Sequence, residues 1–408
     1  MDSTLQRRLG IPGATAIGVA SMLGAGVFVV WAPAAAAAGS AVLVALPLAA
    51  VIAALNATST TRLAMRHPVS GGAYAYGRAE LGPTAGFAAG LLFLLGKTAS
   101  VAAIALVGGE YLWPGLGRLV AVALVLVLAV VNATGVRATA VVSAVAAGIV
   151  VVVLVVVLAL SVPGADARAI TAPGAPAAGP LGVLTATGLI FFAFAGYARV
   201  ATLGEEVRDP VRTLPRAVLL AVTTVFIISA ATLIALLAGL GVDGLAESPA
   251  PVAELAGPGW EVALRIAAGI ACIGSLTGVL AGLSRTGFAM ARDGELPRVL
   301  ARISRRTATP VVSDAVVAVV AVAAVLVLEP AQVIGISACA VLGYYAIAHL
   351  AALRATPPLG LGRVIPIAGL VGCLAVAFAT PWPALAGVAL TLAAGIGVRA
   401  VARHSRRA

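Results

Sequence analysis

Two glycine-containing stretches interrupt long apolar runs. Residues 21–28 contain Gly24 and Gly26, and residues 191–199 contain Gly196. Each glycine costs about 1 kcal/mol of helix propensity relative to alanine. Unwound backbone presents N–H groups, which suit a carboxylate, and carbonyl groups, which suit an ammonium or sodium ion. The pair of stretches therefore favours a site for a zwitterion, although glycine in apolar helices also marks close helix packing.

Two cations lie inside apolar runs. Lys97 stands 14 residues after Pro83, about 21 Å along a helix, and a lysine at the centre of a membrane span costs roughly 2.5–3.5 kcal/mol. Lys97 either donates hydrogen bonds to helix-end carbonyls or acts as a coupling group that gains and loses a proton. Arg199 follows Gly196 by three residues. Two buried positive charges near one cavity would repel a cationic ligand, which favours a neutral one.

The acidic pair Glu205 and Glu206 has two interpretations. It is either a solvated charge run, or an inner gate that pairs with arginines and separates as the site opens inward. The candidate partners of such a gate are Arg7, Arg78 and Arg285.

Other reactive residue types form no recognisable site. The three cysteines and three histidines lie apart from one another, which is typical of packing residues and helix ends: Cys272, Cys339, Cys373, His67, His349 and His404. Paired intramembrane aspartates, an HExxH motif and a Ser–His constellation are missing from the sequence. We therefore predict no catalytic residue, no metal site and no cofactor.

The composition places these residues in a membrane protein. Of 408 residues, 62% are hydrophobic and 10% are charged, whereas a soluble globule carries about 25% charged residues. A spanning helix needs roughly 20 apolar residues, and apolar runs bounded by charges, glycine and proline predict twelve spans. They lie at residues 14–36, 40–61, 84–109, 118–134, 139–161, 181–203, 214–239, 261–285, 311–328, 332–353, 363–380 and 384–401.

The net charge of +11 follows from topology. Most of the 26 Lys and Arg residues fall in loops on the side of the N-terminus, together with acids among which we count Asp314. Because positive loops stay inside, we predict that both termini are cytoplasmic, with residues 1–13 and the basic tail 402–408 on that side. The basic balance therefore does not indicate nucleic acid as a partner.

The interruptions fall in the first and sixth predicted spans. Because five is odd, two consecutive five-helix units run in opposite senses through a membrane, which is the inverted-repeat plan of many secondary transporters. We expect a first repeat at residues 14–161, a second at 181–353, and two further helices at 363–401.

Four sequence stretches resemble the amino acid-polyamine-organocation (APC) superfamily, and most closely bacterial amino acid permeases related to the cationic amino acid transporters. The stretch Gly24–Phe28 after Ile17-Gly18 resembles the first-helix signature, and residues 191–217 resemble the sixth helix with its following loop. Residues 291–297 with Thr309-Pro310 are similar to the loop after helix eight, and Asn132 with residues 135–137 to the turn between helices four and five.

This resemblance implies an all-α, LeuT-like fold with a 5+5 inverted repeat and a substrate site at the two interruptions. The substrate carboxylate would meet the N–H groups of Gly24, Ala25 and Gly26, and its ammonium would face the Met22 carbonyl. Helix six would contribute Gly196 and the carbonyls of Phe192, Ala193 and Ala195. Side-chain specificity would depend on helices one, three, six and eight, with the candidates Thr98, Ser275 and Thr277.

The chain also departs from the family pattern. Predicted helix five has no ionisable residue in the place where some relatives carry a lysine, and Ala198 stands where relatives often have an acid. We therefore expect a secondary active transporter of the cytoplasmic membrane. It would move amino acids, neutral rather than cationic, by alternating access, with a proton rather than sodium as coupling ion.

Three alternatives stay open at this stage. The first two are an exchanger and an exporter of amino acids or amines with the same fold. The third is a nutrient sensor that binds at the same site without transport.

Overall fold

A computed structural model describes residues 10–23, 25–67, 71–134, 148–159, 167–171, 179–197, 207, 209–257, 259–304, 307, 309–356 and 361–404. Within these ranges the regular structure is helical. In the described part of the first half there are ten helices: α1 (Ile11–Leu23), α2 (Gly26–Val29), α3 (Trp31–Ala38), α4 (Val42–Arg66), α5 (Ala73–Leu81), α6 (Pro83–Leu112), α7 (Gly117–Thr134), α8 (Gly148–Ala159), α9 (Ala167–Thr171) and α10 (Gly179–Phe194).

The described residues of the second half form seven helices: α11 (Pro210–Glu247), α12 (Pro251–Leu255), α13 (Glu261–Arg292), α14 (Val311–Val327), α15 (Pro330–Ala355), α16 (Val364–Phe378) and α17 (Trp382–His404). Short 3₁₀ turns occupy Gly39–Ala41, Ala195–Tyr197, Arg298–Ala301 and Leu361–Arg363.

Eight stretches in the described ranges are long and apolar enough to cross a membrane: Ile11–Val29, Trp31–Arg66, Pro83–Leu112, Gly179–Tyr197, Val211–Glu247, Glu261–Arg292, Pro330–Ala355 and Trp382–Val401. Shorter apolar helices cover Gly117–Ala133, Gly148–Ala159, Val311–Val327 and Val364–Phe378. The protein is thus an α-helical, multi-pass membrane protein. Crossing by the four shorter helices stays a prediction, since 17 residues span about 25 Å of a core about 30 Å thick.

Local sequence sets the helix starts. Pro83 opens α6 directly after Gly82, whose positive φ of 101° turns the chain into the helix. Proline also stands at the start of α15, where Glu329 and Gln332 form a reciprocal capping box. Proline is favoured there because its missing N–H would have no partner in the first turn.

Several helices are longer than their apolar runs. The seventh predicted span, residues 214–239, lies within α11, which continues to Glu247 across a non-helical Gly241 with φ 69°. The amphipathic helix α5 is absent from the sequence prediction, because its apolar content is too low for a span. Asp314, which the sequence analysis counts among the acids on the side of the N-terminus, lies in the first turn of α14 with 4% exposure.

Long helices pack around the first and sixth apolar segments. Helix α10 lies against α3 and α4, and α1 lies against α11. Helix α6 packs along α15, α13 and α7, and it carries the largest share of buried small residues. Small side chains let helix backbones approach closely in a membrane protein, so the interrupted segments lie inside the protein.

Candidate functional site

The two predicted helix interruptions are present and lie against each other. Helix α1 ends at Leu23 and α2 begins at Gly26, while α10 ends at Phe194 and gives way to a 3₁₀ turn. A Cβ atom on Gly26 would lie 2.6 Å from the Ala193 Cα. The backbones of the two segments therefore touch directly.

Gly196 makes the reciprocal contact. A Cβ atom at this position would collide with the carbonyl oxygen of Ser21, and it would lie 2.7 Å from the backbone nitrogen of Met22. Backbone atoms cannot move aside as a flexible side chain can. Gly196 is therefore needed for close approach, and both Gly26 and Gly196 have a packing role.

The unwound backbone is buried. Met22 and Ala25 are 2% and 1% exposed, and Ala193 and Ala195 are 3% and 6% exposed. Because the last four carbonyls of an α-helix lack intrahelical partners, the ends of α1 and α10 place acceptors here, including those of Met22, Phe192 and Ala193. Gly24 lies outside the described residues.

Ser275 of α13 reaches the first interruption. The backbone N–H of Ala25 donates a 2.7 Å hydrogen bond to the Ser275 Oγ, across 250 residues of sequence. The hydroxyl thus accepts from an N–H group that the family resemblance assigns to a ligand carboxylate. A carboxylate at this point would have to displace or share that bond.

The other candidate side chains have no described hydrogen bond to the two interruptions. Thr277 is fully buried, and its hydroxyl donates to the Ile273 carbonyl of its own helix at 2.6 Å. Thr98 is 8% exposed in α6. Their assignment to the site stays a prediction.

Lys97 lies in the middle of α6 and is half-buried. Within the described part of the chain it has no hydrogen bond or ion pair. The helix-end carbonyls proposed as partners are therefore not found among these residues. Arg199, Glu205 and Glu206 lie outside the described residues, so their predicted roles stay predictions.

Arg78 has other acidic neighbours than the predicted gate pair. Its Nη1 lies 3.5 Å from Glu295 Oε1 and 3.8 Å from Asp293 Oδ2, in the segment that follows α13. The Tyr74 hydroxyl donates to Asp293 at 2.7 Å. Burial and this bonded carboxylate raise the pKa of Tyr74 to about 12. Tyr74 therefore stays a neutral donor near neutral pH.

Glu295 joins the same end of the molecule to the last helix. Its carboxylate accepts hydrogen bonds from Arg399 Nε at 2.6 Å and Nη2 at 3.0 Å, and both side chains are under 10% exposed. Arg399 also donates to the Pro83 carbonyl and lies 5.0 Å over the Phe87 ring. This network fastens α17 to α6 and to the end of α13.

The sequence of this chain is similar to that of known membrane transport proteins. A family described as amino acid permease matches residues 9–396. The chain belongs to the amino acid permease family. It is 44% identical to an uncharacterized transporter of Mycobacterium tuberculosis over 98% of this chain and 92% of that protein.

More distant relatives carry substrate names. The branched-chain amino acid permease BcaP of Bacillus subtilis is 26% identical over 76% of this chain and 73% of its own length. A protein named cationic amino acid transporter 7, chloroplastic, of Arabidopsis thaliana is 27% identical over 73% of this chain and 57% of its own length. These relatives are transporters and not enzymes, which confirms the resemblance to the APC superfamily.

The permease also contains a buried polar cluster that the sequence analysis missed. Asn56 Oδ1 of α4 lies 2.6 Å from His349 Nε2 of α15 and accepts a 3.1 Å bond from the Cys373 thiol of α16. The three residues are 0% exposed. Because they are 293 and 317 residues apart from Asn56 in sequence, no local pattern could have grouped them.

Proposed function

We propose that this permease is a secondary active transporter that moves amino acids across the cytoplasmic membrane by alternating access. The carrying observation is the direct packing of the two interruptions, with the Ala25 N–H held by a side-chain hydroxyl that a carboxylate could replace. A zwitterion bound there would meet N–H donors on one side and helix-end carbonyls on the other.

The proposed fold has twelve spans in a LeuT-like 5+5 inverted repeat followed by two helices. Its support is the position of the interruptions in the first and sixth apolar segments, five segments apart. In this arrangement both termini are cytoplasmic. The end with Arg78, Arg292 and Arg399 faces the cytoplasm, as the positive-inside rule favours.

The proposed substrate is a neutral amino acid. Lys97 in the middle of α6 and Arg199 after the second interruption would repel lysine or arginine in a cavity between them. The names of the relatives include both branched-chain and cationic substrates, so sequence similarity favours neither class. Uptake of radiolabelled leucine, alanine or serine is expected to exceed that of arginine, and the reverse order would contradict the charge argument.

The proposed coupling ion is a proton, carried by Lys97, with sodium as the second candidate. The support is the depth of Lys97 in α6 and the lack of a described ion-pair partner. A neutral lysine costs far less to keep at membrane depth than a charged one. Loss and gain of a proton by Lys97 would therefore accompany the opening of the site to one side of the membrane and then to the other.

Counterflow in proteoliposomes tests the proposal. Liposomes preloaded with unlabelled leucine should accumulate labelled leucine faster than empty ones, because a carrier accelerates exchange. A sensor would bind leucine without this acceleration. Loss of counterflow by at least tenfold is expected for Gly196→Ala, whose Cβ collides with backbone. The matched control is Gly282→Ala in α13, where a Cβ atom meets nothing within 4 Å.

A further inference from the structure

A pocket of about 180 Å³ lies away from the two interruptions, where α7, α13 and α14 meet. It is smaller than the roughly 300–1,000 Å³ of pockets for drug-sized ligands, yet large enough for several water molecules. The lining consists of Asn132, Ala281, Ser284, Arg285, Phe288, Ile303, Thr309, Pro310 and Asp314.

Asp314 is the central polar residue of this pocket. Its Oδ1 accepts a 2.7 Å hydrogen bond from the Asn132 amide. Its Oδ2 is buried and has no hydrogen bond of good geometry among the described residues, although the nearby Ser284 hydroxyl also interacts with this carboxyl group. A buried polar atom without a partner costs free energy and calls for an explanation, such as an ion or ligand.

Two features of its position favour the ionised form of Asp314, whereas its burial opposes that form. The residue lies in the first turn of α14, where the helix dipole stabilises an anion, and the Asn132 bond adds to this. Both effects act on the ionised form. Neither supplies a donor for Oδ2, so the carboxylate retains the capacity to bind a cationic group.

The other lining residues complete a recognisable pattern. Arg285 brings a guanidinium with five N–H donors, which can hold a carboxylate in addition to other partners. Ser284 and Thr309 add hydroxyl groups, while Ala281, Phe288, Ile303 and Pro310 form apolar walls. The pocket therefore offers one negative group, one positive group and apolar surface.

We propose that this pocket is a second binding site for a small neutral amino acid, with the ligand ammonium on Asp314 and its carboxylate on Arg285. A simple cation fits less well, because Arg285 would repel it. An anion fits less well, because Asp314 would repel it. The site rests on the amino acid substrate class of the proposed function, and on the proposed topology it opens toward the cytoplasm.

Equilibrium binding to the full-length protein in lipid nanodiscs tests this site, with radiolabelled L-alanine and L-leucine as probes. We expect two equivalents bound per chain. Asp314→Asn keeps the shape of the side chain and should lose one equivalent, with an affinity at that site at least tenfold weaker. Asp243→Asn, an exposed aspartate at the far end of α11, should keep both.

A second variant tests whether a loss of binding in Asp314→Asn results from misfolding. Arg285 is exposed, so Arg285→Gln should fold. It is expected to lose the same equivalent, and Arg285→Lys should restore part of the binding. Methylammonium chloride should compete weakly. If methylammonium displaced the ligand as well as alanine does, the pocket would be a cation site and the proposal would be overturned.

The result separates this inference from the proposed function. If the wild type bound one equivalent of amino acid, which Gly196→Ala lost and Asp314→Asn retained, the second site would be overturned and the site at the interruptions would remain. If that one equivalent were instead retained in Gly196→Ala and lost in Asp314→Asn, the pocket would be supported and the site at the interruptions contradicted. Retention of two equivalents in both Asp314→Asn and Arg285→Gln would also overturn the proposal.

Discussion

At the scale of single residues, Ser275 connects packing with recognition. Its hydroxyl accepts the hydrogen bond of the Ala25 N–H. A buried N–H group left without a partner costs about 1–3 kcal/mol. The hydroxyl and a substrate carboxylate would compete for the same donor, so removal of the hydroxyl should destabilise the free protein more than the bound one.

Ser275→Ala should therefore lower the thermal unfolding midpoint without ligand and enlarge the stabilisation that saturating leucine provides. Ser100→Ala is the control, because the Ser100 hydroxyl bonds Gly96 and Ser337 within the helix packing. It should lower the midpoint and leave the ligand-induced shift unchanged. A smaller ligand-induced shift in Ser275→Ala than in the wild type would contradict competition for the Ala25 N–H.

At the scale of helices, α17 is fastened by one buried ion pair. Arg399 and Glu295 are 8% and 3% exposed, and the pair also engages the start of α6. Breaking a buried ion pair costs about 3–5 kcal/mol when the remaining charge has no other partner. In Arg399→Gln the Glu295 carboxylate would keep the 3.5 Å contact with Arg78, whose side chain is 41% exposed, so the cost should lie at the lower end of that range. Arg399→Gln should thus lower thermal stability strongly.

The exposed pair Arg118–Glu329 gives a matched control, with side chains 40% and 67% exposed. Such pairs contribute about 0–1 kcal/mol, so Arg118→Gln should change the unfolding midpoint little. Equal losses in Arg118→Gln and Arg399→Gln, measured in the same detergent and salt, would show that burial does not determine the strength of these pairs.

Some features of these helices could be predicted from the sequence, and others could not. The interruptions after Leu23 and Phe194 were predictable, because glycine weakens a helix locally and the ends of each apolar run can be located in the sequence. The partners of Asp314, Asn56 and Glu295 were not, since each contact joins residues more than 100 positions apart. Such contacts depend on how complete helices pack, and periodicity within one helix carries no information about its neighbour.

At the scale of the whole molecule, the proposed secondary active transport requires that the movements of ion and substrate be linked. The two sides of the membrane differ in proton concentration, and a group that changes charge within the protein can link them only if its charge alters the stability of one conformation. Lys97 is a suitable group because its charge at membrane depth is costly and has no described counterion.

Lys97→Gln and Lys97→Met should therefore abolish proton-dependent leucine uptake in proteoliposomes while leaving exchange of leucine in counterflow measurable. Glutamine keeps polarity and methionine keeps length, so a shared loss would point to the charge itself. Arg118→Gln, which removes an exposed charge, should leave the pH dependence of uptake as in the wild type. An unchanged pH dependence in either Lys97 variant would remove Lys97 from the coupling mechanism and assign the pH dependence to another titratable group.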